Sequence, residues 1–208
     1  YGKPFQAAIQ ESDLLGIMPC YCTVNGEPVS ASYGLLTKLL RDEMGFQGLC
    51  ISDYGAVGNT HGSQHVGETL EDAGLLCLKA GMDMELPNPS GFGEKFLEKF
   101  RTGKADISAL NRAVLRVLTA KFRMGLFEHP FSLQGEELKG VFSQKTDREV
   151  SLQSAKESLV LLKNNGVLPI GSDVKKIAVI GPHADCARKF FGGYTHMCMM
   201  ESTYAIAN

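Results

Sequence analysis

At 208 residues, with 44% hydrophobic and 21% charged side chains, the chain has the length of one full domain or two partial ones and the composition of a globular protein. A formal net charge of −2 offers no attraction for nucleic acid or an anionic membrane surface and suits a small neutral substrate. No apolar run approaches the ~20 residues of a membrane span, and the opening Tyr1-Gly2-Lys3-Pro4 is not a signal peptide.

In chain order, residues 5–13 read as a helix end, with Ala7, Ala8 and Gln10 as good formers. The apolar run 15–21 predicts a strand, followed by a turn at Asn25-Gly26 and Pro28. Ser32 is placed to cap a helix carrying Leu36, Leu39 and Leu40 on one face and closed by Gly45. The short run Leu49-Cys50-Ile51 shows no apolar alternation, which predicts a parallel strand covered on both faces and ending on Ser52-Asp53. Strand, helix, strand implies a parallel pair and an α/β fold. Leu70, Ala73, Cys77 and Ala80 lie at helical spacing up to Gly81, and residues 82–87 predict a further strand entering a Pro/Asn/Gly loop. Asp106 caps a longer helix with Ile107, Leu110, Val114 and Val117 on one stripe. From 127 to about 147 the periodicity fades, as in a linker or surface strap. A helix around Val150, Ala155 and Leu159 is expected next, then strands over 159–164 and 176–182.

The six cysteines are Cys20, Cys22, Cys50, Cys77, Cys186 and Cys198, mostly in apolar surroundings. Cys50 and Cys77 fall in predicted core elements and read as small hydrophobes. Cys20 and Cys22 alternate on one predicted strand and lack the second pair that a zinc site needs. Reduced thiols and a cytoplasmic setting follow, with a secreted or periplasmic one left open. His61 and His65 have the i, i+4 spacing of helical zinc ligands, but Gly62 and Ser63 between them favour a loop and solvated histidines.

Asp53, at the carboxyl end of a parallel strand, is either a cap for the next helix or a catalytic group. The residues around it decide between these. Gly45-Phe46-Gln47-Gly48, then Ser52-Asp53-Tyr54-Gly55-Ala56-Val57, resembles the nucleophile motif of glycoside hydrolase family 3, the β-glucosidases and β-xylosidases. Met18-Pro19-Cys20-Tyr21 before an Asn-Gly turn and Ala80-Gly81-Met82-Asp83-Met84-Glu85-Leu86-Pro87 resemble further stretches of that family. So do Leu161-Leu162-Lys163-Asn164-Asn165-Gly166 and Ile177-Ala178-Val179-Ile180-Gly181-Pro182.

The resemblance implies the C-terminal part of a (β/α)8 barrel over 1–127, a linker over 128–147, and the start of an α/β sandwich domain over 148–208. It implies a retaining exo-β-glycosidase that acts on small carbohydrates by double displacement, without metal or cofactor. Asp53 is the implied nucleophile, and its charged form is expected to be held by hydrogen bonds or cations. Tyr21 and Tyr54 are the implied aromatic platforms for a sugar ring. The family commonly has Asn where Cys22 stands, and a thiol does not replace an amide's hydrogen bonds.

Among the carboxylates Glu68, Glu85 and Glu201, none is assigned as acid/base, because the family's acid/base lies further along than this chain reaches. Thr195 and His196, in a glycine-hinged loop, are candidates for closing over the sugar. The rival expectation is an incomplete piece that binds or assembles, with a further chain or segment completing the barrel and covering its open edges.

Overall fold

The computed structural model describes residues 2–142, 144–186 and 194–195. The chain divides into two units between Gly135 and Glu136, each taken by itself below.

In the first unit, helix α1 (Gly2–Glu11) precedes strand β1 (Gly16–Ile17), and a hairpin of β2 (Thr23–Val24) and β3 (Glu27–Pro28) follows. A 3₁₀ turn (Val29–Ala31) and a π-helix (Gly34–Glu43) lead to β4 (Leu49–Tyr54). Helices α2 (Ala56–Gly62) and α3 (Leu70–Ala80) connect β4 to β5 (Met84–Leu86), and α4 (Glu94–Arg101) and α5 (Ile107–Arg123) come after it. The three main strands form one parallel sheet in the order β1-β4-β5, with β4 in the middle. This is the strand–helix–strand alternation expected, although the ladder of β1 is only two residues long where seven apolar positions predicted a strand.

Burial along β4 alternates, against the expectation of cover on both faces. Cys50 and Ser52 are fully buried on one side, whereas Leu49, Ile51 and Asp53 are half-buried on the other. The buried side faces a core of Leu36, Val57, Cys77, Ala80 and Met82, so both Cys50 and Cys77 are core residues as predicted. Apolar desolvation pushes both thiols up to about 12.

Ser32 Oγ accepts from Leu35 N–H at 3.2 Å, as the capping expectation required, but the helix it starts is wound with wider turns. Met44 N–H reaches Leu39 O at 2.9 Å, five residues back. Helix α3 follows its expectation closely: Thr69 Oγ1 accepts from Asp72 N–H, and Gly81 closes it in the left-handed region. Asp106 caps α5 by accepting from Ser108 N–H at 2.9 Å. Its predicted stripe holds in part: Leu110 packs on the core and Val117 is half-buried, but Ile107 and Val114 are half exposed, and Ala109, Ala113 and Ala120 are the buried residues. Small residues let α5 approach Leu78 of α3 and Phe96 of α4 closely, which larger β-branched side chains would prevent. Helix α4 had no sequence expectation. Phe96 buries it, stacked on Phe92 at 4.8 Å and edge-on to Phe100 at 5.0 Å.

At the amino ends of the strands lies a buried ionic node. The Asp83 carboxylate is fully enclosed and accepts from Arg41 Nη2 at 2.8 Å, Arg116 Nη1 at 2.9 Å and the Cys50 N–H at 2.9 Å. Arg41 also donates to the Gly48 carbonyl at 3.0 Å and lies over the Phe46 ring, its guanidinium carbon 5.5 Å from the ring centroid. Burial lowers the Arg41 pKa, and the Asp83 charge opposes that shift. Gly48 passes so close to β1 that a Cβ there would stand 2.4 Å from the Leu15 carbonyl oxygen.

In the second unit, residues expected as linker carry helices α6 (Gly135–Val141) and α7 (Lys145–Glu157), the latter overlapping the helix predicted around Val150. Segments 159–164 and 176–182 form no ladder among the described residues, contrary to the strands predicted there. Their apolar side chains are open, with Leu162 and Ile180 each 91% exposed, so they lack the neighbour that a strand requires.

Two outcomes follow for stability. Asp83→Asn leaves the buried Arg41 and half-buried Arg116 guanidinium groups without their shared charge and is expected to destabilise the first unit by about 3–5 kcal/mol in urea unfolding. Arg41→Met, which leaves the Arg116 pair in place, is expected to cost less. Gly48→Ala is expected to lower the unfolding free energy by roughly 1–3 kcal/mol through the clash with Leu15, read as a lower urea midpoint.

Candidate active site

Strand β4 emerges at its carboxyl end on Ser52-Asp53-Tyr54. Ile51 pairs with Met84 and Tyr54 with Leu86, so Ser52 and Asp53 of β4 stand against the single Glu85 of β5, a β-bulge. The buried Ser52 hydroxyl spans the irregularity by accepting from Leu86 N–H at 2.8 Å. Gly55 then turns the chain at φ 70° and donates its N–H to Leu86 O at 2.9 Å. A bulge re-aims the side chain it carries, and here that side chain is the Asp53 carboxylate.

Asp53 is half-buried, and its Oδ1 accepts from Tyr54 N–H at 2.6 Å. The capping alternative does not hold. Helix α2 begins from Gly55, and no side chain caps it. The carboxylate has the hydrogen bond expected of a nucleophile, but among the described residues no cationic side chain pairs with it.

Tyr21 and Tyr54 are brought to the same place. The Tyr21 hydroxyl donates to the Tyr54 carbonyl at 2.7 Å, and the Tyr21 carbonyl accepts from Gln64 Nε2 at 2.8 Å. Both rings are exposed, Tyr54 to 66%, so apolar faces remain available beside Asp53.

Glu85 does not join them as a reacting group. Its carboxylate accepts from Ser90 Oγ at 2.5 Å and from the N–H groups of Gly91 at 3.0 Å and Phe92 at 2.7 Å, which fixes the loop after β5. Glu68 is exposed, and Glu201 and His196 lie outside the described residues, whereas Thr195 is described and half-buried. His61 sits in the last turn of α2 rather than in the loop expected, with Nδ1 3.3 Å from the Gly67 carbonyl. His65 follows the helix end at φ 55°, so the two histidines do not share a helix face. Among the described residues no cluster of three or more His, Cys, Asp or Glu forms a cradle for a metal.

A recess of about 490 Å³ lies away from Asp53, between the π-helix, α3 and α5. Arg41, Lys79, Arg112 and Arg116 line it, so it adjoins the structural node around Asp83. The functional residues that sequence reasoning missed are Ser52 as the tie to β5 and Gln64 as the anchor of Tyr21. The Ser-Asp pair was visible, but the serine's partner is 34 residues away.

A parallel βα unit thus presents a carboxylate beside two exposed tyrosines at the carboxyl end of its middle strand, the end where parallel α/β folds place their chemistry. Residues 1–120 match the glycosyl hydrolase family 3 N-terminal domain, and the chain belongs to this family. A β-xylosidase of Formosa agariphila is 34% identical over 94% of the chain and 29% of its own length. A β-glucosidase of Rhizobium radiobacter is 36% identical over 93% and 22%, and a periplasmic β-glucosidase of Salmonella typhimurium 33% identical over 94% and 26%. The chain thus spans under a third of the length of these curated relatives. Among solved structures, a β-glucosidase involved in saponin metabolism from intestinal bacteria superposes with a TM-score of 0.74 at 33% identity, covering 81% of this chain and 22% of that one. The Listeria innocua β-glucosidase, also solved in complex with glucose, gives 0.73 at 30% identity over 82% and 23%. No helix among the described residues is long and apolar enough to cross a membrane.

Ser52→Ala leaves the buried Leu86 N–H without its acceptor. The expected result is a loss of about 1–3 kcal/mol, with faster amide exchange at Leu86 than elsewhere in β5, read by hydrogen exchange.

Proposed function

We propose that this chain carries the nucleophile of a retaining exo-β-glycosidase, acting on terminal β-D-glucosides or β-D-xylosides. The observation that carries the reading is the position of Asp53: half-buried on the bulge of the middle strand, released from any capping role and flanked by Tyr21 and Tyr54. Family membership and the relatives' names supply the substrate class.

In the first step an Asp53 oxygen attacks the anomeric carbon as the aglycone leaves with a proton from a general acid. Water then cleaves the glycosyl-Asp53 ester with the same acid acting as base. The Tyr54 N–H holds one carboxylate oxygen and leaves the other to react. Tyr21 and Tyr54 offer flat apolar surfaces to the sugar ring. The family resemblance implies an acid/base further along than this chain reaches, and Glu85 is engaged by the loop it holds. No metal or cofactor takes part in this scheme.

The domain reading is the C-terminal part of a (β/α)8 barrel over 1–127, a linker over 128–147 and the start of an α/β sandwich over 148–208. The break at Gly135 and Glu136, inside 128–147, supports it. The free thiols of Cys20 and Cys22 support a reducing, cytoplasmic compartment, although one relative is named periplasmic.

A second reading, a binding or assembly piece completed by a further chain or segment, draws on the open apolar side chains of the second unit, Leu162 and Ile180 above all. A monodisperse monomer in sedimentation velocity would argue against it.

Asp53→Asn is expected to lower hydrolysis of an aryl β-glucoside or β-xyloside by ~10⁴-fold or more. Incubation of the unsubstituted protein with 2-fluoro-2-deoxy glucosides and xylosides is expected to leave an adduct on Asp53 in peptide mapping. Full activity of Asp53→Asn would overturn the assignment.

A further inference from the structure

Two thiols flank Tyr21. The sequence Cys20-Tyr21-Cys22 lies between a buried proline, Pro19, and an anchored backbone carbonyl, since Cys22 O accepts from Val29 N–H at 3.0 Å. The strand expected over these residues is absent: β1 ends at Ile17, the chain bends at Tyr21, and both cysteines are exposed. Cys20 and Cys22 stand two positions apart with the chain bent at Tyr21 between them, and the neighbouring Cys20 raises the Cys22 pKa.

We propose that Cys20 and Cys22 form a reversible redox-modification site, which closes to an intrachain disulfide when a small-molecule disulfide such as oxidised glutathione is the oxidant. One thiolate attacks the oxidant's S–S bond and releases one reduced thiol, leaving a mixed disulfide on the protein. The second sulfur, as thiolate, displaces the remaining half as another reduced thiol. Two electrons pass from the protein sulfurs to the oxidant, and the two protons end on the released thiols.

The geometry favours closure. In an extended chain, Cα atoms two residues apart are separated by up to ~7 Å, beyond the usual span of a disulfide. A bend at the intervening residue shortens that span, and Tyr21 supplies it. The bond so formed is exposed and closes a very small ring, features of labile rather than permanent disulfides. Cys50 and Cys77 are buried and protonated, which leaves them inert and makes them internal controls.

Closure also reaches the sugar site, a consequence that rests on the proposed glycosidase function. Drawing both sulfurs to one side tightens the bend at Tyr21 and pulls its hydroxyl from the Tyr54 carbonyl beside Asp53.

The test equilibrates the protein in graded ratios of oxidised to reduced glutathione, quenches with acid, alkylates with N-ethylmaleimide and maps peptides. The peptide containing residues 20–22 is expected to lose two hydrogens and to take no alkyl group, with both alkylation sites restored by dithiothreitol. C20S and C22S are each expected to stop at a single glutathione adduct. Separate adducts on Cys20 and Cys22 with no internal bond at any ratio would overturn the proposal. Hydrolysis of an aryl β-glucoside is expected to fall at least about tenfold on oxidation and to recover on reduction, with C20S insensitive. Closure with unchanged hydrolysis would overturn the coupling to Tyr21. No hydrolysis in the reduced state would count against the glycosidase reading alone, because the peptide masses judge the thiol pair independently.

Discussion

The Asp83 carboxylate fixes where β4 and β5 stand, and most of the first unit depends on that. It is the only acceptor shared by Arg41 and Arg116 among the described residues, and it also takes the Cys50 N–H from the neighbouring strand. One buried charge therefore ties the π-helix, β4, β5 and α5 together. The same contact with two cations and an amide compensates for removing the charge from water. Burying such a group costs stability unless every partner is in place, so the node selects one arrangement of these four elements.

The residues around that node give a physical reason for much of the glycine-bracketed motif before β4. Phe46 is buried beneath the Arg41 guanidinium, Gly48 offers its carbonyl to the same guanidinium, and the Gly48 Cα leaves no room for a side chain against Leu15. These positions do not touch the carboxyl end of the strand at all. They set the depth and direction with which β4 leaves the node, and Asp53 lies five residues beyond Gly48 along it. The buried ionic node lies at the amino ends of the strands and the Asp53 carboxylate at a carboxyl end, the division seen in parallel α/β enzymes generally.

What could be read from the sequence was local. The caps Ser32 and Asp106, the closing Gly81 and the core cysteines all act within a few residues or through apolar character, and each was visible. The Asp83 node was not, because its partners lie 42 and 33 residues away, and an acidic residue beside a strand start carries no mark of what it meets. The α5 stripe was misplaced in part because large apolar residues dominate a periodicity count, while close helix packing is made by alanines. The expected strands at 159–164 and 176–182 show the opposite error: apolar runs promise a strand, but a ladder needs a second strand to pair with. At the site, Asp53, Tyr21 and Tyr54 were legible as types and positions. The bulge that aims Asp53 depends on a register between two strands and could not be.

That register explains why an exposed tyrosine matters to the carboxyl end of β4. On one side β5 follows β4 as far as Tyr54 and Leu86. On the other side β1 leaves the sheet after Ile17, opposite Cys50, so the last residues of β4 have no ladder partner there. The Tyr21 hydroxyl supplies the missing contact by donating to the Tyr54 carbonyl, and Gln64 holds Tyr21 in turn. A side chain thus replaces a strand at the point where the half-buried Asp53 carboxylate is held but left open to solvent. A continued β1 would pin the backbone more firmly and would also cover the edge of β4 beside Asp53. The short β1 and the bend at Tyr21 leave that edge open, and its support falls to the exposed side chain of Tyr21.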